Sequence, residues 1–178
     1  MSVVELFEEI ALDKERNAVL SSDEQHRYWL HQRRAVGGEG WTVFCMLNPS
    51  KANKHRADPT SRRTIEFATR WDRAGVALVN LYSAITSEPD DLYDIDRPVG
   101  ARNSVFIRAA CNLVKERGGE FVCAWGNHNL ARLQSPIVLN IIRNLGVPLR
   151  CLGVTKDGMP RHPLYISGDV QLETYHGR

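Results

Sequence analysis

The chain has 178 residues, 43% of them hydrophobic and 25% charged, and 23 Lys+Arg against 21 Asp+Glu leave a net charge of +2. Those values fit one globular domain with a modest extension, long enough to bury a core without disulfide or metal staples. They exclude collagen-like, coiled-coil and wholly disordered chains, and +2 is no footprint of a protein that coats nucleic acid, although a local basic patch remains open.

The first forty residues read as an N-terminal helical and extended elaboration. Val3–Ala11 has the pattern of a short amphipathic helix. Met1–Leu20 alternates acids with apolar residues and lacks the basic start and apolar core of a secretory signal. Asp23–Arg34 mixes His26, Arg27, His31, Arg33 and Arg34 with Tyr28 and Trp29, and Gly37-Gly38-Glu39-Gly40 forms a turn.

From residue 41 the pattern changes. Trp41–Leu47, Val76–Leu81, Glu120–Trp125 and Leu149–Val154 are short, continuous apolar runs, as expected for strands covered on both faces. Between them, Thr60–Ala74, Arg102–Arg117 and Leu130–Leu145 place apolar residues at helical spacing, and each is followed by glycine. The β-α-β-α-β-α-β order predicts a three-layer αβα fold built on a four-stranded, mainly parallel sheet. Residues 1–178 read as a single domain, with an elaboration over 1–40, an α/β core over 41–165 and a tail over 166–178.

Cys45, Cys111, Cys123 and Cys151 form no C-x-x-C pair, and three sit in apolar runs. They read as buried, reduced thiols of a cytoplasmic protein. No apolar run approaches the roughly 20 residues of a membrane helix, so no membrane partner is expected. No phosphate-binding Gly-rich loop, G-x-S-x-G elbow, zinc-deaminase signature or metal-ligand spacing is present, so neither cofactor nor metal is expected.

Open parallel sheets bind ligands beyond the carboxyl ends of their strands. The segments that follow the four predicted strands supply Asn48-Pro49-Ser50 and Asp58, then Asn80 and Tyr82, then Trp125-Gly126 and His128, and finally Lys156 and Arg161-His162. Amides, imidazoles, aromatics and cations would converge there. Each has a plainer reading too. Asn48-Pro49 can be only a turn, Asp58 only a helix cap, Trp125 only core. Arg62, Arg63, Arg70 and Arg73 read as a solvated helix face.

The string CMLNPSKANKHRADPTSRRTIEFATRW, followed by VALVNLYSAITSEPDDL, PVGARN, AWG and CLGVTKDGMPRHPLY, resembles a bacterial and phage family known as domain of unknown function number 1643, from about Tyr28 to Tyr165. More distantly, Leu47-Asn48-Pro49-Ser50 and His162-Pro163-Leu164 resemble two motifs of the uracil-DNA glycosylase superfamily, whose fold is a four-stranded parallel sheet between helices. That resemblance implies a DNA or RNA glycosylase-like hydrolase. Asn48 would position the attacking water and His162 would stabilise charge on the departing base. Asn80 would bind the base, and Leu164 or Tyr165 would wedge into the stack. The sequence departs from the superfamily at Met46 and Ser50 and over residues 52–57.

N-glycosidic cleavage needs a donor at the base oxygen, an acceptor that holds water at the anomeric carbon, and an aromatic floor. Asn48, His162, Asn80 and either Trp125 or Tyr82 as the floor could supply these. Asn48, His162 and Asp58 are the catalytic candidates. Pro49, Ser50, Asn80, Tyr82, Trp125, Gly126, His128, Lys156 and Arg161 are the substrate-binding ones. A basic groove would draw on Lys51, Lys54, Arg56, Lys156 and Arg161 for a DNA or RNA backbone. The alternatives are a non-catalytic binder of a modified base or nucleotide, and an enzyme acting on a small nucleoside-like metabolite.

Overall fold

The computed structural model describes residues 3–50 and 58–177. Seven strands form one sheet: β1 (Arg16–Leu20), β2 (Arg27–Arg33), β3 (Trp41–Met46), β4 (Gly75–Asn80), β5 (Gly119–Cys123), β6 (Leu149–Cys151) and β7 (Glu173–Thr174). The helices are α1 (Val3–Ile10), α2 (Pro59–Arg70), α3 (Asn103–Arg117) and α4 (Asn129–Asn144), with short 3-10 turns at Pro89–Asp94 and Pro163–Tyr165.

The spatial order is β1-β2-β4-β3-β5-β6-β7. β4, β3, β5 and β6 run parallel. β2 joins the free edge of β4 antiparallel, with β1 antiparallel outside it, and β7 pairs antiparallel with β6. The sheet is therefore mixed and seven-stranded, larger than the four strands expected from the sequence. Residues 41–165 supply the parallel strands, and the flanking segments supply the rest. The patterns explain the difference. Arg27–Arg33 confines its apolar character to Tyr28-Trp29-Leu30, between Arg27 and His31-Gln32-Arg33, and β7 is only two residues long.

Alternation along the strands divides the interior into two cores. Val43, Cys45, Ala77, Val79, Phe121 and Cys123 pack with α1, α3 and α4 on one face. Phe44, Met46, Val76, Leu78 and Val122 pack with Phe67 and Ala68 of α2 on the other, joined by Ile166, Val170 and Leu172 of the tail. Helices thus cover both faces of an α/β sheet. Among the described residues, no helix is long and apolar enough to cross a membrane.

The cysteines follow this division. Cys45, Cys123 and Cys151 sit side by side in the registers of β3, β5 and β6, and all four thiols are free and buried.

Candidate functional site

β3 ends at Met46, and the chain leaves the sheet through Leu47-Asn48-Pro49-Ser50. The segment after β4 runs alongside it. Tyr82 N–H donates to the Leu47 carbonyl at 2.9 Å and Thr86 N–H to the Pro49 carbonyl at 3.2 Å. These bonds bring Thr86 to Asn48. The Asn48 amide Nδ2 donates to Thr86 Oγ1 at 2.8 Å and to the Pro49 carbonyl at 3.2 Å, and Thr86 Oγ1 donates onward to the Glu88 carbonyl at 2.8 Å. This network fixes which end of the amide is nitrogen. No described group donates to Asn48 Oδ1, so that oxygen is an oriented acceptor.

Helix α2 begins opposite this loop. Asp58 is its N-cap and Pro59 its first residue, a favourable start because proline lacks the N–H that would be unpaired there. Asp58 Oδ1 accepts from Ser61 N–H at 2.6 Å, and Oδ2 accepts from the Ser50 hydroxyl. Burial raises the pKa of this carboxyl, but the hydrogen bonds from Ser50 and Ser61 and the nearby charge of Arg27 outweigh it, so the net shift is downward. Asp58 is a carboxylate at neutral pH.

Arg27, the first residue of β2, is 2% exposed. Its Nη1 donates to the Ser50 carbonyl at 3.2 Å. Burial lowers its pKa to about 10, partly offset by Asp58, and it remains cationic at pH 7. Sequence reasoning placed Arg27 only in a basic stretch. Its one available signal was a charged residue directly before Tyr28-Trp29-Leu30, a run too apolar to lie in solvent.

His162 closes the site from the fourth loop. It caps the 3-10 turn Pro163–Tyr165, and its Nδ1 accepts from Leu164 N–H at 3.4 Å. Burial lowers its pKa to about 4 against the opposing pull of Asp58. The ring is therefore neutral at pH 7. With Nδ1 serving as acceptor, the ring hydrogen is assigned to Nε2.

Arg27, Asn48, Ser50, Asp58, Thr86 and His162 line one cavity of about 110 Å³, together with Met46, Leu78 and hydroxyls from Thr60, Ser61 and Ser87. Sequence reasoning missed Thr60, Ser61 and Thr86, whose roles come from the cap and the loop pairing. Pockets for drug-sized ligands run to about 300–1,000 Å³. This one is on the scale of a single small ring.

His162 is also a wall of a second, open cleft of about 430 Å³, formed with Gly126, Asn127, Thr155, Lys156, Arg161 and Tyr165. Gly126 has φ 75°, a conformation that favours glycine, and its N–H donates to the Pro160 carbonyl at 2.9 Å, bringing the backbone past His162. Arg161 Nε donates to the Val154 carbonyl at 3.0 Å, and Lys156 is exposed. Tyr165 is 84% exposed.

The remaining candidates lie elsewhere. Pro49 is buried and offers only its carbonyl. Tyr82 belongs to the α3–α4 core and donates its hydroxyl to the Leu130 carbonyl at 2.9 Å. Trp125 is in the same core, edge-on to Tyr175, and its Nε1 has no partner among the described residues. His128 is the N-cap of α4. Its Nδ1 accepts from Leu130 N–H at 3.2 Å, and its Nε2 lies 3.0 Å from Asp90. Neither aromatic borders the cavity that holds Asn48 and His162. Asn80 is buried on the α2 face beside that cavity, and neither atom of its carboxamide meets a partner among the described residues. Leaving such a group unmet costs about 1–3 kcal/mol. Lys51, Lys54, Arg56 and the rest of 52–57 lie outside the described residues.

A cavity of about 530 Å³ opens at the opposite end of the sheet, by Leu12, Glu39, Trp41 and Glu116. Its size alone does not outweigh the convergence of oriented polar groups at the carboxyl ends. Among the described residues, no three His, Cys, Asp or Glu side chains converge as metal ligands do.

The chain matches no curated protein and no solved structure at a significant level. Residues 27–164 match the family model described as a protein of unknown function, DUF1643, a span that opens on the buried Arg27 and closes just past His162. The chain belongs to the DUF1643 family.

Proposed function

We propose that this chain is a nucleobase-directed hydrolase of glycosylase type, acting in the cytoplasm on a base held in DNA or RNA. The observation that carries the reading is the placement of His162, whose Nδ1 accepts from Leu164 N–H, at the wall of a ring-sized cavity that Asn48 also lines, with Asn48 Oδ1 accepting from no described group. A neutral imidazole can donate to a developing oxyanion without carrying a charge of its own.

In this reading the bond between the anomeric carbon and the base nitrogen breaks, and its electron pair leaves with the base. His162 Nε2–H donates to the base oxygen on which negative charge builds. Asn48 Oδ1 accepts a hydrogen bond from the water whose oxygen attacks the anomeric carbon, and the proton that this water sheds goes to solvent and on to the departing base anion. Asn80 reads the edge of the base. Asp58 is a positioning residue: both of its oxygens are engaged, and it holds Ser50 in place and offsets the charge of Arg27. Lys156 and Arg161, along the cleft that shares His162, suit a sugar-phosphate backbone. Further support comes from the four central parallel strands between helices, the arrangement implied by the uracil-DNA glycosylase resemblance.

One observation favours a second reading, a binder that cuts nothing. Each oxygen of the Asp58 carboxylate already accepts a hydrogen bond and its pKa is held below the ordinary carboxyl value, which makes it a weak base for activating water. Mass spectrometry on oligonucleotides carrying uracil, mismatches and modified bases decides between the two. Base release that falls about 10²–10⁴-fold in His162→Ala and Asn48→Ala, both folded, supports the hydrolase. Release that is unchanged in both variants overturns these assignments, and binding without release supports the binder.

A further inference from the structure

Asn80 is the last residue of β4 and is 1% exposed. Val76 and Leu78 point into the α2 core and Ala77 and Val79 into the other, so alternation turns Asn80 toward α2. Its in-register neighbour across the parallel ladder is Met46, which faces the same way. Paired strands lie about 4.8 Å apart, so the two side chains are adjacent. Met46 and Leu78 are walls of the 110 Å³ cavity, whereas Asn80 is not. A buried amide with no hydrogen-bond partner among the described residues thus stands beside the thioether that makes a wall of the cavity.

We propose that Met46 is a displaceable gate between the cavity and Asn80, opened by a planar ring that carries a donor beside an acceptor on one edge. Methionine is unbranched and has three rotatable bonds, so it can swing aside with little rearrangement of its neighbours. A carboxamide offers one acceptor and two donors in a plane and pairs two-point with such an edge. A ring without that edge would lose the Met46 packing and gain nothing from Asn80, so the gate selects for hydrogen-bonding heterocycles. The nature of the ring rests on the nucleobase reading above, and the gate itself does not.

The test is titration calorimetry of the full chain with uracil, cytosine, adenine and guanine as free bases. Met46→Ala is expected to bind at least one of them about tenfold tighter than the native chain, because nothing need be displaced. Adding Asn80→Leu is expected to abolish that gain. Met46→Val and Asn80→Ser serve the same comparison if either variant fails to fold. No gain for any base, or a gain that survives replacement of Asn80, overturns the gate. The two proposals fail separately. Base release from oligonucleotides that needs His162 but ignores Met46 and Asn80 removes the gate and the base-reading role of Asn80, and leaves the hydrolase that rests on His162 and Asn48. An Asn80-dependent gain in binding without release from any oligonucleotide does the reverse.

Discussion

Asp58 divides its carboxylate between two parts of the chain: one oxygen caps helix α2 through Ser61 N–H, and the other takes the hydroxyl of Ser50 in the loop after β3. The start of the helix and the end of the strand are thereby tied together over the buried Arg27. Asp58→Asn keeps an acceptor for Ser61 but removes the charge. Two hydrogen bonds to a charged group become neutral ones, and the expected loss is about 1.5–3 kcal/mol in urea unfolding. The sign with pH follows from the lowered pKa. The stabilisation is complete above the ordinary carboxyl value of 3.8 and disappears as pH falls through the lower folded value. Asp58→Asn is therefore less sensitive to acid below about pH 4 than the native chain; equal acid sensitivity counts against this account.

His162 has the opposite charge type and a different window. Its folded pKa of about 4 lies below the ordinary imidazole value of 6.5, so between those values the unfolded chain binds the extra proton. Stability contributed by the neutral ring is complete above pH 6.5 and is lost as pH falls toward 4. In histidine NMR, the His162 ring signals should stay constant from pH 8 to about pH 5 and shift only below that. A midpoint near 6.5 rules out the neutral-donor role. Base release should likewise be flat from pH 6 to 8 and fall at more acid pH.

Tyr82 separates core from site. Its hydroxyl donates to the Leu130 carbonyl on the face of the sheet away from the Asn48 cavity. Tyr82→Phe should cost about 1 kcal/mol of stability and leave base release within twofold of the native rate. A loss of activity well beyond the loss of stability would return Tyr82 to the site as an aromatic floor.

The four thiols give a prediction about reactivity. Burial pushes Cys111 up to about 12 and drives Cys45 and Cys123 far above the ordinary thiol range. Cys151 is also raised, again chiefly by burial. The thiolate is the reactive form. Native protein at pH 8 should show no rapidly labelled thiol with a disulfide reagent, and all four should react in guanidinium chloride. Fast labelling of any one in the native chain contradicts this packing.

The parts of the fold legible in the sequence were those dictated by local pattern. The strands beginning at Trp41 and Gly75 are buried on both faces, those beginning at Gly119 and Leu149 are largely so, and glycine follows the predicted helices between them, so they emerge within a few residues of their true bounds. β2 was not legible because its polar residues find partners far away in sequence. Buried His31 receives the Trp29 indole N–H at 3.0 Å and contacts the Lys14 carbonyl at 3.2 Å, and Arg27 is compensated by Asp58. The site was legible as a set of loops at one sheet end. Which residues share a cavity was not, because the regular alternation of faces stops where β4 ends at Asn80. Asn80 and Tyr82 are separated by one residue, yet one faces α2 and the other packs with α4.

The antiparallel seat of β2 on β4 has a consequence for synthesis. β2 leaves the ribosome before β3, α2 and β4, so Arg27 is first an ordinary hydrated cation on a hairpin with nowhere to dock. Its burial awaits both Asp58 and the edge of β4, and until the hairpin arrives that edge is an unpaired strand open to other chains. Arg27 therefore joins the cavity only once β4 has formed, and a nascent chain delayed at that step would be both inactive and prone to self-association.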